Sequence, residues 1–178
     1  SRGVRIATHT KVEEILHEGG QIAGVRTDRR EIQAKYVVIC GGMWSRDLAS
    51  TVGVNLPLHA CEHYYVLFEG VEGIDNTLPV LRDYDYCGYY KYDAGKLLVG
   101  AFEPNARPWG MDGISEDFCF DEIAGSFEHF EPLLLDAMRR VPALEKAGIQ
   151  KFFCGPESFT PDVRYHLGES AELKGCFV

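Results

Sequence analysis

The 178 residues are 46% hydrophobic, 12% aromatic and 25% charged, with 18 Lys and Arg against 27 Asp and Glu. Such a chain is globular rather than disordered, and it is long enough to bury a sizeable core as one domain or as two interlocked lobes. A formal net charge of −9 argues against nucleic acid as a partner and against an electrostatic membrane anchor. The longest apolar runs, such as Tyr36 to Cys40 and Leu133 to Leu135, fall far short of the roughly 20 residues a membrane span needs. No hydrophobic signal core follows Ser1. Cysteines at 40, 61, 87, 119, 154 and 176 form no CxxC and no Cys/His zinc spacing. Cys40, Cys154 and Cys176 close or sit in apolar runs, where a free thiol packs as a small hydrophobe. Reduced structural thiols are expected, and with them a reducing compartment: the cytoplasm, or the mitochondrial matrix in a eukaryote. No metal site is expected.

In chain order, Lys11 to Glu18 reads as a strand, Gly19-Gly20 as a hairpin turn, and Gln21 to Thr27 as the returning strand. Asp28 to Arg30 turns again into a third short strand, Glu31 to Ala34. Tyr36 to Cys40 is continuously apolar and predicts a strand buried on both faces. It runs into Gly41-Gly42, and Ser45 to Val52 predicts a short helix stopped by Gly53. The character changes at Asn55 to Leu58. His59 to Phe68 predicts a long aromatic-rich strand, and Tyr89 to Tyr92 pairs with Lys96 to Val99 around Asp93-Ala94-Gly95, giving an antiparallel sheet. Pro104 to Gly110 is a loop. Pro132 predicts a first helical turn, with Leu134, Ala137, Met138 and Val141 on one face and Pro142 as the stop. Ala143 to Ala147 adds a helical turn. Ile149 to Cys154 predicts a strand broken by Gly155-Pro156, and Cys176 to Val178 a last, short one. The abrupt ends suggest an internal piece of a larger protein.

Three features could carry chemistry. Gly41-Gly42 between strand and helix could let backbone N–H groups approach a phosphate, but GxGxxG is absent and a plain tight turn explains the pair as well. His63 lies within an apolar strand and by alternation shares a face with Cys61 and Tyr65. It could bind substrate or tune a proton, or be a hydrogen-bonded core histidine. His9, His17, His59, His129 and His166 have no ligand or triad spacing. Tyr84, Tyr86, Tyr89, Tyr90 and Tyr92 form either amphipathic sheet packing or an aromatic substrate pocket. No GxSxG and no Cys–His pairing supports hydrolase chemistry.

The run Tyr36 to Ser45 (YVVICGGMWS) resembles the "vvnaaGxWa" segment of flavin amine dehydrogenases of the D-amino-acid-oxidase superfamily. Pro57 to Val66 (PLHACEHYYV) resembles the "PxxxxHxYvvt" strand of the dimethylglycine and sarcosine dehydrogenases. Leu78 to Asp83 (LPVLRD), Val141 to Glu145 (VPALE) and Gly155 to Asp162 (GPESFTPD), with Gly168-Glu169 after it, are similar to further family segments in order and spacing. The resemblance covers essentially the whole chain. It implies an α+β fold: an antiparallel or mixed sheet substrate-binding lobe with helices, plus part of a Rossmann-like FAD-binding lobe that includes the three-stranded meander. Residues 1–54 would belong to the FAD lobe and 55–150 to the substrate lobe, with 151–178 returning towards the FAD lobe.

The resemblance places Val12, Gly41, Gly42 and Trp44 near FAD, whose main fingerprint and any covalent histidine linkage would lie outside this chain. His63 falls on the family's HxY position and Tyr89 on the first Tyr of its "YY" strand, so both are implied as catalytic. Tyr89 tilts the reading towards a dimethylglycine-like enzyme. Tyr65 and Arg82 are candidates for substrate binding. Arg82 suits a carboxylate by its bidentate fork, and could equally form a structural ion pair. Tyr165 stands where a proline is common. The implied reaction is hydride transfer from the N-methyl carbon of sarcosine or dimethylglycine to the flavin, and the residues do not identify the electron acceptor. Relatives often carry a C-terminal tetrahydrofolate-binding region. The alternatives are a non-catalytic relative resembling the pyruvate dehydrogenase phosphatase regulatory subunit, or a flavin oxidoreductase acting on another amine.

Overall fold

A computed structural model describes residues 3–178; Ser1 and Arg2, the start of the expected first segment, lie outside the described residues. The chain divides into two compact units, one formed by residues 1–59 and 158–178 and the other by residues 60–157. It passes between them within two long strands.

The first unit opens with an antiparallel meander of β1 (Val12–Glu18), β2 (Gln21–Thr27) and β3 (Glu31–Gln33). The hairpin between β1 and β2 turns on Gly19 and Gly20, both at positive φ (58° and 77°). That is the conformation a tight two-residue turn demands and that glycine adopts without strain. A second, parallel pair joins β4 (Val37–Val38) to β10 (Cys176–Phe177). A 3₁₀ turn at Gly42–Trp44 then leads into α1 (Ser45–Ser50). Ile15, Ile22, Ile39, Ala49, Val54, Leu56, Leu173 and Cys176 form the core of this unit.

The expectation of a strand buried on both faces over Tyr36 to Cys40 is overturned. Val37 and Ile39 turn inward, whereas Tyr36 and Val38 are 67% and 63% exposed and Cys40 is exposed. Side chains alternate across a strand, so an unbroken apolar run is covered on both faces only where two layers pack against it. Here one layer does.

The second unit is a five-stranded sheet in the order β6 (Leu81–Arg82), β7 (Gly88–Asp93), β8 (Lys96–Ala101), β5 (His59–Glu69), β9 (Gly148–Phe159). Helix α2 (Phe127–Arg140) packs its Phe130, Leu134 and Ala137 with the sheet residues Tyr64, Val66, Phe68, Tyr90, Leu97 and Val99. Two expectations are corrected. α2 begins before Pro132, because Ser126 caps it by accepting a hydrogen bond from the His129 N–H at 3.1 Å. Pro132 therefore stands inside the helix, where it cannot donate to the Glu128 carbonyl. β9 likewise runs through Gly155-Pro156, which an edge strand tolerates because one side of its backbone has no ladder to maintain.

Candidate functional site

Period-two alternation divides β5 into two unlike faces. Ala60, Glu62, Tyr64, Val66 and Phe68 are buried, while Cys61, His63, Tyr65 and Leu67 are half-buried. Strand register carries the same division across the sheet. Arg82 on β6 pairs with Tyr89 on β7, Tyr89 with Gly100 on β8, and Gly100 with Tyr65 on β5. These four positions form one cross-strand row on the face opposite α2. His63 stands two residues along β5 from Tyr65, and Phe102 two residues beyond Gly100.

The side chains of this row converge. His63 Nε2 and Tyr89 Oη are 2.9 Å apart and share a hydrogen bond. The Phe102 ring stacks on His63 with centroids 4.5 Å apart and lies 5.4 Å from the ring of Tyr89. The Arg82 guanidinium sits over Phe102 at 4.4 Å, between the rings of Tyr84 and Tyr89 at 5.7 and 5.9 Å. Tyr65 stacks on Phe153 of β9 at 4.4 Å. Glu157, also on β9, brings its Oε2 to 3.7 Å from His63 Nε2.

Charge state follows from burial. Desolvation, with a smaller contribution from the positive Arg82, pulls His63 down to about 4. Burial, seconded by Glu157, pushes the Tyr89 phenol up to about 12. At neutral pH the pair is thus a neutral imidazole beside a protonated phenol. Burial also raises the Glu157 carboxyl. Asp83, next in sequence to Arg82, is committed elsewhere: Arg140 Nε donates to its Oδ2 at 2.5 Å and holds its carboxyl below the usual range. Among the described residues, no carboxylate lies within ion-pair distance of Arg82. A guanidinium with a free fork, set beside a neutral hydrogen-bonding pair and aromatic rings, can take a carboxylate at one end and an amine at the other.

The sequence-derived candidates fall into two groups. His63, Tyr65, Arg82 and Tyr89 share one face of the second unit. Val12, Gly41, Gly42 and Trp44 belong to the first. Val12 lies on β1, the outer strand of the meander, and is 38% exposed. Gly42 is at φ 57° with open space where a side chain would stand, and Trp44 is 44% exposed. Phe102 and Glu157 are members of the convergent group that sequence reasoning did not single out. Phe102 follows the last strand residue by one position and keeps its alternation, so extending the Lys96 to Val99 strand by period two would have found it. Among the described residues, no group of three or more His, Cys, Asp or Glu is arranged to hold a metal ion.

The family model described as "DAO: FAD dependent oxidoreductase" matches residues 1–178. The chain belongs to that family. It is 41% identical over 178 residues to 4-methylaminobutanoate oxidase (formaldehyde-forming) of Paenarthrobacter nicotinovorans, covering 100% of this chain and 22% of the relative. It is 40% identical over 158 residues to the mitochondrial sarcosine dehydrogenase of Homo sapiens, covering 89% and 17%. It is 37% identical over 179 residues to the mitochondrial pyruvate dehydrogenase phosphatase regulatory subunit of Mus musculus, covering 99% and 20%. The chain therefore spans about a fifth of the length of these curated relatives. Among solved structures, L-proline dehydrogenase from P. horikoshii shares the fold with a TM-score of 0.71 at 19% identity, over 94% of this chain and 42% of that one. Among the described residues, no helix is long and apolar enough to cross a membrane.

Proposed function

We propose that the full-length protein is an FAD-dependent oxidoreductase that oxidises the N-methyl C–N bond of a small N-methyl amino acid of the sarcosine and dimethylglycine class. The observation that carries this reading is the open face of the sheet, where Arg82 has no carboxylate partner among the described residues and lies beside the hydrogen-bonded His63–Tyr89 pair. Two of the relatives above, the 4-methylaminobutanoate oxidase and the sarcosine dehydrogenase, are named for N-methyl amino acid substrates. In this reading residues 1–54 and 151–178 contribute to an FAD lobe, and residues 55–150 to a substrate lobe. The first-unit residues suit the cofactor in kind. The open space at Gly42 lets a ligand approach the backbone, a half-exposed indole offers an apolar surface, and an outer strand at Val12 offers backbone donor and acceptor groups.

When bound, FAD supplies an acceptor for the hydride leaving the N-methyl carbon. The chain's own side chains deal with the amine. Only the neutral amine has the lone pair that expels a hydride and leaves an iminium, so the bound ammonium must lose its proton. The burial that disfavours the His63 cation equally disfavours the bound ammonium, so the amine's proton is lost to solvent and the neutral His63 orients the nitrogen. Tyr89 keeps its proton and holds the imidazole. Arg82 receives the carboxylate, and the Phe102 and Tyr65 rings exclude water from the methyl group.

Anaerobic mixing of the full-length protein with sarcosine, dimethylglycine or 4-methylaminobutanoate tests the reading. Bleaching of the oxidised flavin band by at least one of them is expected. A flavin that stays oxidised with all three contradicts it. The resemblance to the phosphatase regulatory subunit gives a second reading, a non-catalytic relative, and the unbleached outcome is the one it predicts.

A further inference from the structure

His63 and Tyr89 lie on strands that are not neighbours. The order β7-β8-β5 puts β8 between them. Adjacent strands are about 4.8 Å apart, so their backbones are separated by roughly 10 Å. A hydrogen bond of 2.9 Å across that gap requires one side chain to lie flat over the middle strand. Tyr89 is the one that does so, and the residue beneath it is Gly100, its register partner. A Cβ placed on Gly100 would stand 2.2 Å from both Cζ and Oη of Tyr89 and 2.7 Å from its Cε1. No real contact is that short, so any side chain at this position displaces the phenol. The same glycine is the register partner of Tyr65 on the other side.

We infer that Gly100 is a positioning residue of the site: its missing side chain is the channel through which the Tyr89 phenol crosses β8 to reach His63. Glycine weakens a strand interior, and its presence there commonly marks a close approach by another group. Here Gly100 lies inside β8, flanked by the buried Val99 and Ala101, of which Val99 packs with the apolar residues of α2. What occupies the vacant side-chain space is a polar atom of the site rather than a second backbone. The assignment of the pair to amine oxidation rests on the function proposed above. The placement of Tyr89 by Gly100 does not.

The test compares Gly100→Ala, Tyr89→Ala and the double variant in the full-length flavoprotein, with two readouts. The first is the NMR titration of the His63 imidazole, its resonance assigned by loss in His63→Gln. The charged and titratable groups facing that ring are Tyr89, Arg82, Glu157 and Tyr65. Gly100→Ala is expected to move the His63 midpoint upward, as Tyr89→Ala does, because water replaces the phenol. The double variant is expected to match Tyr89→Ala. The second readout is the limiting rate of flavin reduction. Gly100→Ala should slow it in the wild-type background and leave it within about a factor of two when added to Tyr89→Ala, since two changes acting through one group are not additive. An unmoved His63 titration in Gly100→Ala overturns the inference whatever the rate. A moved titration with an unchanged rate supports the placement and counts against the proposed reaction instead. Should Gly100→Ala unfold the protein, its rescue by Tyr89→Ala supports the inference, and equal instability of single and double variants overturns it.

Discussion

The two faces of the five-stranded sheet are built from the same strands in the same register, yet one is sealed by α2 and the other is left open. On the sealed face Tyr64, Val66, Phe68, Tyr90, Leu97 and Val99 meet the apolar side of α2. Its buried acid, Glu62, is satisfied locally: Tyr64 donates to it and Arg107 lies at 3.5 Å. On the open face the polar groups hydrogen-bond one another, but Arg82 meets only rings. A buried polar group must find a partner inside the protein, whereas a half-exposed one can keep its capacity for a ligand. The difference between the faces is thus one of access more than of composition: the sealed face leaves the Tyr90 hydroxyl unpartnered but buries it, whereas the open face leaves the Arg82 guanidinium within reach of a ligand.

That contrast can be broken by substitution. The largest effect is expected from Phe130→Ala under the sealed face. It removes a fully buried ring that lies 6.0 Å from Tyr64 and 5.5 Å from Phe152. It should cost about 3–5 kcal/mol in denaturant unfolding of the full-length protein. Next come His63→Ala and Tyr89→Phe on the open face. They should slow reduction of the flavin by N-methyl amines roughly 10- to 1000-fold in stopped flow, with flavin content unchanged. If they instead lower stability and release flavin while the remaining holoenzyme reduces normally, the open face is packing and nothing more. Arg82→Gln should raise KM for an N-methyl amino acid roughly 10- to 100-fold, the loss expected for a charge-assisted hydrogen bond. It should leave an N-methyl amine without a carboxylate unaffected. An equal effect on both substrates would remove the carboxylate role.

The smallest effect sharpens the contrast through pH. His63 is held at about 4 in the folded chain against 6.5 for the free side chain. The unfolded state therefore binds the extra proton first as pH falls. Stability attributable to keeping His63 neutral is complete above about pH 6.5 and is lost progressively down to about pH 4. Unfolding measured across that window should show a shallower acid slope in His63→Gln than in the wild type. Identical slopes would mean that His63 is not desolvated by its surroundings.

Much of this arrangement was legible in the residues. Alternation along His59 to Phe68 put His63 and Tyr65 on one face, and the strand pair around Asp93-Ala94-Gly95 brought Tyr89 into an antiparallel sheet. Three things were not legible, for physical reasons. Continuous apolarity at Tyr36 to Cys40 does not reveal how many layers cover a strand. Proline reads as a helix start or a strand stop, yet Pro132 and Pro156 are held within elements by tertiary packing and by an edge position. Convergence across the sheet depends on register. The chain itself does not announce that Arg82, Tyr89, Gly100 and Tyr65 form one row, or that Asp83 pairs with Arg140 and leaves Arg82 open.

The central claim, that the open face receives the amino acid, is tested most directly by a crystal structure of the full-length flavoprotein with N,N,N-trimethylglycine. Its quaternary nitrogen has no lone pair to expel a hydride, so the ligand should persist unoxidised. The account predicts its carboxylate within hydrogen-bond distance of the Arg82 guanidinium and its methylated nitrogen against the rings of Tyr89 and Phe102. A ligand bound away from this face, with Arg82 still resting against the rings of Phe102, Tyr84 and Tyr89, would contradict it.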